Sequence, residues 1–258
     1  MKEIIQLFNK SLAYITCLMA AVLIINTSCD SHEEVDLDLH IGYVLCSDHR
    51  CMTYTDYLEA KSEMGDEIFA VAVVFAEKDK NHPALAVSLN ELSGAFCDSL
   101  GIENGTSCKV DTCDGYSNTV AMYQSYNSEK NVGCPIAMKC FDTHYYNQSQ
   151  YIPSVEEMRL LSQAAPAINP IIRLLGGQEI KTTGYCWYWT STEVEGNKPY
   201  QAWLCSAREG GIQETPKTED HQARPILQLN YPKGYPGNNN ITNRRKEISW
   251  QVSFKPAS

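Results

Sequence analysis

Cys46-Ser47-Asp48-His49-Arg50-Cys51 packs two thiols, a hydroxyl, a carboxylate and an imidazole into six residues. These are the parts of a nucleophilic site, in which a nearby base activates Ser or Cys. Neighbours in sequence rarely take up that geometry, and an acidic setting raises a thiol pKa instead of lowering it. The stretch therefore reads as a loop. The other close spacings, C-x4-C at 108/113 and C-x5-C at 134/140, are wider than the C-x2-C of a zinc knuckle. No Gly-rich phosphate loop, HExxH or GxSxG string occurs. No catalytic residue, no metal site and no cofactor is expected, and the chain reads as a non-enzyme, with a thiol-dependent enzyme as the third functional alternative.

The cysteine count bears on location. The chain holds eleven, of which Cys17 and Cys29 lie near the start. The remaining nine are an odd number, so at least one lacks an intramolecular partner. Cys108–Cys113 is a plausible small-loop bridge, and Cys186 and Cys205 are alternatively buried thiols on adjacent strands. Ser11 to Ile25 runs without a charge after Lys2 and Lys10. That is shorter than the roughly 20 apolar residues needed to span a bilayer and suits a signal-peptide core. Asn26-Thr27-Ser28-Cys29 resembles the lipobox of bacterial lipoproteins, with Asn26 where Leu is usual, which implies lipid attachment at Cys29. The expected division is a signal peptide over 1–28, an acidic tether over 29–39, one domain over 40–230, and a linker with a terminal strand or tail over 231–258. The acidic tether also resembles the export signal of Bacteroidetes surface lipoproteins, so an outer-membrane, surface-exposed location is expected, with membrane contact through the lipid alone.

In composition the chain is globular: 258 residues, 43% hydrophobic, 20% charged. A net charge of −10, from 21 basic and 31 acidic residues, argues against nucleic-acid partners, which need clustered Lys and Arg.

Local patterns place the elements. Ile68 to Ala76 is a continuous apolar run, expected as a strand covered on both faces, with Leu85 to Leu89 a second. Ser117 to Lys130 is expected as a helix with Val120, Met122 and Tyr123 in the core. Ser154-Val155-Glu156-Glu157 is a capping box opening a helix that Pro166 should end. A second helix should run from Asn169-Pro170 to Gly176-Gly177. Cys186 to Thr192, Gln201 to Arg208, Ile212 to Thr215 and Ala223 to Leu229 read as strands, with a hairpin turn at Glu209-Gly210-Gly211. The fold class is thus α+β, helices packed on short antiparallel strands. Ile248, Trp250, Val252 and Phe254 alternate with polar residues like a half-buried strand. It either docks on the same domain, is donated to another protein, or forms a frayed tail.

Tyr151 to Met158 (YIPSVEEM), Trp187 to Glu193 (WYWTSTE), Ala202-Trp203 and Ala223-Arg224-Pro225-Ile226 resemble, in order, motifs of the Legionella collagen-like protein C-terminal domain family. The resemblance covers Tyr151 to Leu229. It implies a C-type-lectin-like fold, found in surface lipoproteins of gut Bacteroidetes, in which a rigid core presents irregular loops. Trp187, Trp189, Trp203 and Arg224 are then expected as structural core. Loops 193–200 and 214–221 become the ligand-binding candidates, with Tyr188, Glu193, Glu195, Asn197, Tyr200, Glu214, Lys217 and Asp220 as contacts to an unknown glycan or protein. The Glu-Pro-Asn and Trp-Asn-Asp strings of calcium-dependent sugar binding are absent. The reading is a lipid-anchored, non-catalytic surface binding protein, with a structural subunit of a cell-surface or fimbrial assembly as the alternative.

Overall fold

The structure, a computed structural model, describes residues 39–145 and 148–229. The expected signal peptide, Cys29 and the terminal strand 248–254 lie outside the described residues. No helix among the described residues is long and apolar enough to cross a membrane.

Among the described residues, four helices and two five-stranded sheets make up a mixed α+β fold. The first sheet has the order β12-β4-β3-β1-β2, built from β12 (Ile226–Leu229), β4 (Ala84–Ser88), β3 (Ala70–Ala76), β1 (Val44–Cys46) and β2 (Cys51–Met52), all antiparallel. The second has the order β10-β9-β8-β11-β5, from β10 (Ile212–Pro216), β9 (Gln201–Ser206), β8 (Trp187–Glu193), β11 (Asp220–Ala223) and β5 (Leu92–Ala95). Its β8–β11 pair is parallel and its other pairs are antiparallel. A two-stranded ribbon, β6 (His144–Tyr145) with β7 (Gln148–Ser149), stands apart.

The apolar run at 68–76 forms β3, the central strand of its sheet, and is buried on both faces as its sequence requires. The expected single strand 223–229 is instead two. Arg224-Pro225 breaks it, so β11 belongs to one sheet and β12 to the other. Proline has no N–H to give a ladder, and its carbonyl accepts from Ser88 N–H (2.9 Å) at the crossing point. These few residues tie the two sheets together.

The helices are α1 (Tyr54–Met64), α2 (Gly115–Gln124), α3 (Pro135–Asp142) and α4 (Val155–Leu174). In α2 Met122 is buried, but Tyr123 is 49% exposed, which corrects its expected place in the core. The capping box is present in full at the start of α4. The expected break at Pro166 is not: one helix runs through both Pro166 and Pro170 and ends at Leu174, with Leu175 as its cap. Both prolines are exposed, four residues apart on the side that faces water. On the opposite side Met158, Leu161, Ile168 and Ile172 are fully buried. Burial of such side chains contributes roughly 1.5–3 kcal/mol each, enough together to outweigh an interior proline. Gly176 at φ +76° then closes the helix in the left-handed conformation that favours glycine.

Helix α4 packs on both sheets, sharing one cluster with Val73, Phe75, Leu85 and Val87 of the first and Tyr188 and Cys205 of the second. The other face of the second sheet packs Trp189, Ala202 and Leu204 against Met122 of α2 and Ile136, Ala137 and Cys140 of α3. The second sheet is thus covered on both faces.

Candidate functional site

That double cover decides the fate of several expected contact residues. Trp187 and Trp189 do share a strand face, opposite Tyr188. Trp189 is fully buried and Trp187 partly so. Tyr188, expected to face ligand or loops, is fully buried against α4, which corrects its placement. Its hydroxyl donates to Glu91 Oε1 (2.7 Å) and accepts from Lys181 N–H (3.0 Å). Burial, with the Glu91 carboxylate beside it, pushes this phenol up from its ordinary range. Glu91 also pairs with Lys181 (3.1 Å) and lies 3.7 Å from Arg224 Nη1. Arg224 is wholly buried, as expected of a core residue, and donates to Leu89 O (3.3 Å).

A second polar centre forms at the end of β8. Glu193 and Lys217, both expected as ligand contacts, are an ion pair with no exposed surface at either side chain. Glu193 Oε1 also accepts from Asn104 N–H (2.8 Å), and Oε2 from Thr106 N–H and Oγ1 (3.1 Å each). Lys217 donates to Asn104 Oδ1 (2.8 Å) and Ile102 O (3.0 Å), and its ammonium sits 5.3 Å from the centre of the Phe96 ring. A lysine has three protons to donate, and all three are used. Neither residue is open to a ligand, and both placements are corrected. The reason is that segment 102–106 closes over them, which no spacing within 193–221 announces.

A third centre surrounds Glu157, also fully buried. Its Oε2 accepts from Ser154 N–H (2.7 Å) and Gly115 N–H (3.2 Å), and its Oε1 from the Tyr151 hydroxyl (3.0 Å). Burial pushes this carboxyl up from 4.5 to about 7, against the pull of those donors. A group raised in the folded state contributes stability that is fully present below its unfolded pKa and is lost as the pH rises through the folded one. The stability of the protein relative to its Glu157→Gln variant should therefore fall between pH 4.5 and about 7 and level off above. Denaturation series on either side of that window check it; a difference that is flat with pH would show that Glu157 does not titrate there.

Of the remaining expected contacts, Glu195 is exposed, Tyr200 is 52% exposed, and Asn197 is half-buried with its amide donating to Gln201 Oε1. The stretch 214–221, expected as a loop, is the end of β10, a short turn, and the start of β11. Glu214 is exposed on β10 opposite Trp203, and Asp220 is exposed opposite Ala95 of β5. Trp203 is only half-buried, short of its expected core position.

Sequence reasoning missed one accessible cluster. His221 stacks on the Tyr185 ring (centroids 6.2 Å apart, planes 8° apart) and meets the edge of Trp189 (5.1 Å). Its Nδ1 hydrogen-bonds the Tyr185 hydroxyl, and its Nε2 lies 3.1 Å from Glu219 Oε2. Carboxylate, imidazole and phenol in a chain can stack on and hydrogen-bond a polar ring. The signal was present in part: Glu219 and His221 are two apart in the sequence, Glu219 just before β11 and His221 within it. Tyr185 comes from a different segment. At the opposite end, Cys46 is buried and raised to about 12 by that burial and by Asp48, so the 46–51 stretch holds no activated thiolate at Cys46.

No family model matches the chain, so the Legionella family resemblance gains no support from that quarter, and no curated protein matches either. Among solved structures the chain is similar in fold to a fimbrial protein from Bacteroides ovatus ATCC 8483, with a TM-score of 0.53 and 15% sequence identity. The match covers 74% of this chain and 49% of that one, so the chain spans about half the length of the fimbrial protein it resembles.

Proposed function

We propose that this chain is a structural subunit of a cell-surface, fimbrial-type assembly. The fold likeness to the Bacteroides ovatus fimbrial protein carries the reading. The interior agrees with it. Three carboxylate-centred nodes at Glu91, Glu157 and Glu193 are used up by internal partners, which suits a rigid building block better than a reactive site. The β10 edge of the second sheet is guarded: β10 exposes Glu214 and ends in Pro216, a charge and a missing donor that discourage strand addition. A strand for the subunit to give in assembly by strand exchange is available in sequence, since 248–254 has the alternating pattern for it. A lipid at Cys29 would hold such a subunit at the outer membrane.

Deletion of residues 231–258 in the bacterium that encodes the chain tests this. The intact protein should appear in high-molecular-weight ladders of surface material, and the deletion should abolish the ladder while the purified protein keeps its melting transition. Ladders that persist after deletion, or none with the intact protein, would overturn the reading.

A second reading is a C-type-lectin-like module that binds a glycan or protein at loop 193–200. One observation favours it: three of the four segments that carry the family resemblance meet in space. Tyr151 and Ile226 exchange backbone hydrogen bonds (3.0 and 2.9 Å), Ser191 N–H donates to Pro153 O (2.8 Å), and Val155 N–H to Thr192 Oγ1 (3.3 Å). Under this reading the same deletion leaves ligand binding intact.

A further inference from the structure

Cys97 and Cys134 lie in the cluster between the second sheet and helices α2 and α3, neither with exposed surface. Their backbones are stitched together. Asp98 N–H donates to Gly133 O (3.0 Å) and Gly133 N–H to Asp98 Oδ2 (3.1 Å), so the residue after one cysteine is pinned to the residue before the other. Each thiol is the largest single influence on the other's acidity. Around them Asn104 Nδ2 donates to Cys97 Sγ (3.7 Å) and to Ser125 Oγ (2.9 Å), and Ser125 Oγ lies 3.5 Å from Cys134 Sγ. Cys46 and Cys51 are close in sequence, yet they belong to separate clusters on different strands. Sequence spacing pointed to Cys108 and Cys113, which are half-buried; all nine described cysteines, Cys97 and Cys134 included, are free thiols in this structure.

We propose that Cys97 and Cys134 are a disulfide-forming pair, oxidised as the chain folds in an oxidising compartment, and that the bond clamps the segment delivering Asn104 and Thr106 to Glu193. In the closed fold the Cys134 thiol beside it pulls Cys97 down to about 6 against the cost of burial, helped by Ser99 N–H, Asn104 and the charge of Lys217. Before closure Cys97 reacts as an ordinary thiolate. The thiolate attacks one sulfur of a disulfide donor, a small disulfide such as oxidised glutathione or an oxidoreductase, and one donor thiolate leaves. Cys134 gives its proton to that thiolate and attacks the Cys97 sulfur of the mixed disulfide, expelling the second donor thiolate. Two protein thiols are oxidised and one donor disulfide is reduced to two thiols. With both sulfurs buried in the finished fold, the exchange precedes closure of segment 97–134, and the bond is afterwards shielded from reductants.

The test is refolding of the full chain in a glutathione redox buffer, followed by alkylation in denaturant and tryptic mass mapping. The expected product joins peptide Asn81–Lys109 to Asn131–Lys139, two hydrogens lighter than their sum. Because Cys108 shares the first peptide, the cross-link should vanish in Cys97→Ser and Cys134→Ser and survive in Cys108→Ser. Reduction in denaturant before refolding should lower the urea midpoint of the wild type and leave that of Cys97→Ser unchanged. A missing cross-link under oxidising conditions, or one that survives Cys97→Ser, would overturn the proposal.

Discussion

Replacing Lys217 by methionine is expected to lower the unfolding free energy by about 3–5 kcal/mol, the range for removing one member of a buried ion pair. An exposed pair would be worth 1 kcal/mol or less, so the size of the loss reports burial directly. The loss arises because Glu193 is left charged, with no exposed surface and no countercharge. Asn104 and Thr106 still donate to the carboxylate, but neutral donors do not replace an ammonium. Three acceptors lose their proton at once: Glu193, Asn104 Oδ1 and Ile102 O. Methionine keeps much of the stem's packing against Phe96, so the change isolates charge from volume. The double variant Lys217→Met with Glu193→Gln removes both charges and should recover a substantial part of the loss, because the uncompensated carboxylate is gone. Urea denaturation of the single and double variants gives the coupling energy. A single-variant loss below about 1 kcal/mol, or a double variant no better than the single, would show that the pair is open to water.

The same pair marks how far a sequence can be read. Glu193 and Lys217 lie in the two stretches that looked like ligand loops, and their types and neighbours were those of a polar surface. What buries them is segment 102–106, nearly ninety residues earlier in the chain, and local pattern carries no trace of a contact at that range. Features written within a few residues fared differently. The Ser154/Glu157 capping box, the β3 run and the 209–211 turn depend on spacings of two to four residues and are present in the structure. The helix end foreseen at Pro166 shows the limit from the other side. The proline rule concerns local hydrogen bonds. The tertiary burial of Ile168 and Ile172 on the far side of α4 outweighs it. Tyr188 was placed on the correct strand face and assigned the wrong surroundings, because alternation says which residues share a face and not whether a helix covers it.

Gly115→Ala is the second large effect, and its expected sign opposes intuition. Gly115 is the first residue of α2, where alanine would ordinarily be preferred by up to about 1 kcal/mol. Here a Cβ would stand 2.2 Å from Glu157 Oε2, 2.7 Å from Ile152 O and 2.7 Å from Ser154 N. The last two atoms are backbone, so no rotamer change relieves the clash. Either α2 moves away or the start of α4 does. Both routes break bonds at the Glu157 node: the Gly115 N–H contact to Oε2 and the pair that Thr119 Oγ1 makes with Gly115 O (2.7 Å) and Ile152 N–H (3.0 Å). A carboxylate stripped of a donor in a buried site and a displaced helix together should lower the unfolding free energy by about 4 kcal/mol, at the upper end of single-residue effects. Gly211→Ala is the control, since open space surrounds that position, and it should change stability by less than about 0.5 kcal/mol. Removing the carboxylate in Gly115→Ala/Glu157→Ala should recover little, because the backbone contacts at Ile152 and Ser154 remain. A Gly115→Ala variant within about 1 kcal/mol of the wild type would mean that the two helices have room to separate. The capping box of α4 and the first turn of α2 would then be independent features instead of one shared node.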